Sequence, residues 1–143
     1  MKKRCISLLL AALCCVGWLT MAAAEGKTYV RDTDEVFAAE EISALNARAA
    51  EIDGQYGCFV GIAIVQDPGD SLSGYLQTAI EDMNGEEDGI LLGFSQQAKV
   101  WSMVRQGKAQ EVFSERDEDA LWALFAADSW YDGAMAYLDG AAK

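Results

Sequence analysis

Three adjacent carboxylates, Glu86-Glu87-Asp88, stand between Gly85 and Gly89 directly before an apolar run. Like charges this close repel one another unless a cation sits among them, and hard carboxylate oxygens suit calcium first and magnesium second. From this loop alone, a calcium site and a solvated acidic turn are both open. It is not an EF-hand. Counted from Asp82, position six is Glu87 where that loop needs glycine, and position twelve is Gly93 where it needs glutamate.

A second acidic group, Asp32-Thr33-Asp34-Glu35-Val36, fits the Asp-x-Asp-x-Thr/Val signature of haloacid-dehalogenase-type phosphatases, where the first aspartate attacks phosphorus and the second serves as acid and base. Its context argues against that chemistry: only Tyr29 and Val30 precede it, and no later lysine and paired aspartates follow in the required order. The chain contains no histidine, so the usual general base, the usual triad member and the commonest zinc ligand are all missing. Chemistry here falls to carboxylates, hydroxyls or a metal. Cys58 lies in the apolar run Cys58 to Val65 and reads as a small buried hydrophobe, not a nucleophile. No glycine-rich phosphate loop is present, and Trp101, Trp122, Trp130, Tyr131 and Tyr137 fall on apolar faces, where core packing is favoured over a sugar platform.

Residues 1–24 bear on address, not on fold. Lys2, Lys3 and Arg4 precede an apolar run from Ile6 to Met21, and Ala22-Ala23-Ala24 precede Glu25. This is the layout of a secretory signal, with cleavage expected after Ala24; an uncleaved anchor is the alternative, since Ile6 to Ala24 is close to the span of a bilayer. Removing its three cations takes the net charge from −12 to −15 on residues 25–143, a single domain by length. Such a surface repels phosphate backbones and anionic lipid heads, which excludes nucleic acid and membrane contact beyond the leader. Cys58 is the one cysteine left, so no internal disulfide is expected.

The elements that must hold these groups follow from periodicity. Ile42, Leu45, Ala49 and Ile52 make one stripe of a helix over 38–53, ended by Gly54 and Gly57. Cys58 to Val65 reads as a buried strand, and Asp67 to Asp70 as the turn after it. Leu72, Leu76, Ala79, Ile80 and Met83 predict a helix capped by Asp70 or Ser71. Ile90 to Phe94 and Val100 to Val104 predict a hairpin. Ser114 followed by Asp117 predicts a capping box opening a helix, and 132–141 gives the last one. The helix between the first two predicted strands implies a right-handed parallel crossover, hence a small mixed sheet with helices on both faces.

In this order the segments resemble the TPM-domain family, exported bacterial proteins related to thylakoid-lumen proteins of photosystem II repair. Tyr29 to Glu41 is similar to the family's opening V-D-x-A-G-x-L-S-x-x-E, and Gly57 to Val65 to its G-x-Q-I-x-V-V strand. Asp88-Gly89-Ile90-Leu91-Leu92 is similar to D-N-G-V-L-L, and Trp130 to Ala134 to the closing x-Y-x-x-G-I. The family's Trp-Gly-x-Gly and G-x-G-L-E are absent. The resemblance implies a three-layer α/β/α sandwich, with calcium binding and weak acid phosphatase activity attributed to some members. The expected function is a non-enzymatic, calcium-binding accessory module of the cell envelope. It would bind calcium through Asp88 together with Glu87 or Glu86, and with Asp32 or Asp34, use no organic cofactor, and act on an envelope or extracellular protein. A metal-dependent phosphomonoesterase is the alternative.

Overall fold

The computed structural model describes residues 27–127 and 129–143; the leader predicted over 1–24 lies outside the described residues. The chain runs β1 (Val30–Asp32), α1 (Ala39–Tyr56), β2 (Phe59–Val65), α2 (Leu72–Asn84), β3 (Gly89–Ser95) and β4 (Val100–Gln106). A short α3 (Ala109–Val112) then leads to α4 (Glu115–Ala126) and α5 (Trp130–Ala141). The strands form one sheet in the order β1-β2-β3-β4, with β1, β2 and β3 parallel and β4 antiparallel. The fold is a mixed α/β sandwich with helices on both faces, as the periodicity predicted.

All seven residues of β2 are buried, which is why its sequence is a continuous apolar run and not an alternating one. Register assigns the faces. Gly93, paired with Ala63, faces α2: a Cβ there would lie 2.4 Å from a Leu76 side-chain atom. The neighbouring Phe94 points the other way and stacks on Trp122 of α4 at 5.8 Å. Trp122 in turn stacks on Trp101 at 5.1 Å, so these rings pack on the sheet as core. Helices α1 and α5 pack together on the Phe94 face, with Ile52 beside Val60. Strands β1, β2 and β3 step one way while α1 and α2 cover opposite faces, so the two crossovers have opposite hands. One therefore departs from the strong right-handed preference.

Local signals account for most boundaries. The Ser71 hydroxyl accepts the Gly74 N–H at 3.0 Å, making Ser71 the cap of α2. Ser114 and Asp117 form the predicted capping box, and the backbone N–H and hydroxyl of Ser114 pull the Asp117 carboxyl below its ordinary range. Gly57 ends α1 in the left-handed conformation with φ 65°, whereas Gly54 lies inside the helix and does not stop it. Strand β1 and helix α3 were not predicted.

Candidate functional site

The sheet register decides which acidic residues meet. Asp32 closes β1 opposite Ile64, whereas Asp88 precedes Gly89, which stands opposite Phe59. Those two levels differ by five strand residues, about 17 Å at the usual rise. Asp32 and Asp34 therefore belong to the carboxyl end of the parallel strands, and Glu86, Glu87 and Asp88 to the amino end. The structure does not bring the two groups into one site.

At the amino end the triplet is fastened by the protein's own donors. The Lys27 ammonium donates to Glu87 Oε2 at 2.6 Å and to Asp53 Oδ2 at 3.0 Å. Burial opposes the Lys27 charge, but those hydrogen bonds outweigh it and raise its pKa. Asp53 also accepts the Tyr29 hydroxyl at 2.8 Å, and burial together with that carboxylate pushes the phenol's pKa up, which keeps it a donor. Asp88 Oδ1 accepts the Lys108 N–H at 2.8 Å. That approach needs Gly107, where φ is +64° and a Cβ would lie 2.1 Å from the same oxygen. The loop carbonyls are engaged as well. Gln106 Nε2 donates to Gly85 O and Glu87 O at 2.6 and 2.8 Å, and Asn84 Nδ2 to Glu87 O and Asp88 O at 3.0 and 3.3 Å. Glu86 is exposed. Lys27, Asp53, Asn84 and Gln106 were not candidates from sequence, because each reaches the loop only through the fold.

At each end of the sheet one buried oxygen lacks a donor among the described residues, Asn84 Oδ1 at the amino end and Asp32 Oδ1 at the carboxyl end. Asp32 Oδ2 accepts the Phe37 N–H at 2.9 Å and so closes the turn into α1, while Asp32 Oδ1 is buried and meets no donor among the described residues. Within that turn Glu35 has φ 55°, a conformation an L side chain adopts only under constraint. Asp34 is half-buried in the same turn. An acceptor without a donor in a strained turn is a place where a cation would relieve two costs at once. Among the described residues no group of three or more His, Cys, Asp or Glu is placed to hold a metal ion. A cation at Asp32 would have to complete its shell with main-chain oxygens and water, as calcium commonly does.

Cys58 is free and half-buried at the start of β2. Burial, then the charges of Asp53 and Asp88, push its thiol pKa up. Because the thiolate is the reacting form, alkylation at pH 8 is expected to be slower in the native protein than in the urea-unfolded chain. The gap should narrow only as pH rises past the ordinary thiol range. Equal rates in the two states would show that the thiol is neither shielded nor shifted.

No family model matches this sequence, and no curated protein matches it. Solved structures share the fold. The N-terminal domain of the cg2496 protein from Corynebacterium glutamicum superposes with a TM-score of 0.64 at 11% identity, over 82% of this chain and 79% of that one. The BA42 protein from the psychrophilic bacterium Bizionia argentinensis gives 0.61 at 11%, over 77% and 81%. An N-terminal domain of a protein from P. gingivalis gives 0.65 at 12%, over 84% and 83%. At such identities the likeness is one of fold.

Proposed function

We propose that this chain is an exported, TPM-like accessory domain that binds calcium in the turn after β1 and presents its acidic surface to a protein partner in the envelope. The observation that carries the reading is the buried, donorless Oδ1 of Asp32. In the acidic triplet Glu87 and Asp88 are held by Lys27 and by backbone and amide donors, and Glu86 is exposed. Asp32 and Asp34 are therefore the preferred ligands and Asp88 a structural anchor.

Thermal unfolding of the purified protein in chelator, calcium and magnesium tests this. A ligand present at a hundred times its Kd stabilises the native state by about 2.7 kcal/mol, roughly 10 °C for a domain of this size. Calcium is expected to give a shift of that order and magnesium less. Asp32→Asn should abolish the calcium shift, and Asp88→Asn should lower the starting Tm yet leave it intact. No calcium shift, or one that survives Asp32→Asn and disappears with Asp88→Asn, would overturn the assignment.

A further inference from the structure

At the amino end of the sheet, away from the Asp32 turn, α1, α3 and the end of α5 enclose a pocket of about 380 Å³. This falls within the range of small-molecule sites. Its walls are apolar, with Ile52, Val60, Ala109 and Phe113 among them, and Cys58 opens onto it. Tyr56 and Val112, two of the large apolar side chains most exposed to solvent, stand on its rim at 55% and 72% exposure. A cavity lined this way forgoes packing contacts that an apolar ligand would restore.

Its charge is what sets it apart. The chain carries a net −12, yet two lysine side chains, Lys108 and Lys143, line this pocket beside one acidic side chain, Asp88, which already accepts the Lys108 N–H. Among the described residues, Lys27, Arg31, Arg48 and Arg105 are ion-paired within 4.0 Å; Lys99, Lys108, Arg116 and Lys143 are not, and of these Lys108 and Lys143 share the lining of this pocket. Here an anion meets two uncommitted ammonium groups at the mouth of an apolar cavity. We infer that the pocket binds a small amphipathic anion, an apolar chain or ring bearing one carboxylate, with the apolar part against Ile52, Val60, Ala109 and Phe113 and the carboxylate at Lys108 and Lys143.

The test compares decanoate with decanol, each below its aggregation limit, by calorimetric titration of the purified protein. Non-specific apolar adsorption to an acidic protein favours the neutral alcohol; the proposed site favours the acid, by an expected tenfold or more. Shortening the chain from ten to eight carbons should weaken binding about fourfold per methylene. The surface variants Lys108→Gln and Lys143→Gln, combined, should erase the preference for the acid without altering the fold. Bound decanoate should also protect Cys58 from alkylation. Decanol binding as tightly as decanoate, or decanoate binding that the double lysine variant leaves unchanged, would overturn the proposal.

Discussion

Tyr137→Ala is expected to destabilise the protein by about 4 kcal/mol, the order found when large aromatic side chains are removed from cores. Tyr137 sits on α5 with no exposed surface, and its hydroxyl donates to Gly61 O of β2 at 2.9 Å. Burial raises its phenol pKa, so it stays a donor across the working pH range. Two contributions are separable. Tyr137→Phe keeps the ring and removes the hydroxyl, which should cost about 1–2 kcal/mol through the weakened satisfaction of the Gly61 carbonyl. The remainder belongs to the ring and the cavity it leaves. Urea unfolding of both variants measures the split. A phenylalanine variant as unstable as the alanine one would place the stabilisation in the hydrogen bond and sink the packing account.

Gly133→Ala should cost about 3 kcal/mol, near the upper end for overpacking. A Cβ at Gly133 would lie 2.1 Å from the carbonyl oxygen of Phe125, which is backbone and cannot rotate aside. Accommodation requires α4 and α5 to separate, and these two helices share extensive contact. Gly140, one heptad on, would meet side-chain ends, Leu124 at 2.5 Å and Leu121 at 3.3 Å, and the nearer, Leu124, is 42% exposed and free to swing. Gly54 supplies the opposite case. It lies inside α1 with nothing within 4 Å of its missing Cβ, so Gly54→Ala should stabilise by about 0.5–1 kcal/mol. Thermal unfolding of the three alanine variants should rank them Gly54, Gly140, Gly133 from most to least stable. A neutral Gly133→Ala would mean that the helix pair is looser than its geometry implies.

Much of this architecture was legible because its determinants are local. The stripe Leu72, Leu76, Ala79 and Ile80 defines α2 within its own thirteen residues, and Ser71 and Ser114 cap helices through bonds spanning three residues. Strand β1 was not legible: three residues make a strand only when Val30, Arg31 and Asp32 find Ile62, Ala63 and Ile64, more than thirty positions away. Helix α3, four residues long, has no period to detect. Gly54 misled because glycine is usually punctuation, while the left-handed position that ends the helix went to Gly57. The acidic loop was visible as charge, but its ion pair was not, since Lys27 lies sixty residues from Glu87. The sheet register, invisible in composition, also separates Asp32 from Asp88.

The double contact of Lys27 with Asp53 and Glu87 gives the molecule a polarity. The chain joins the fold at its amino-end pole, beside the lysine-rimmed pocket, while the Asp32 turn occupies the far pole. Loss of the Lys27 contacts would therefore loosen the pocket pole and leave the Asp32 turn in place.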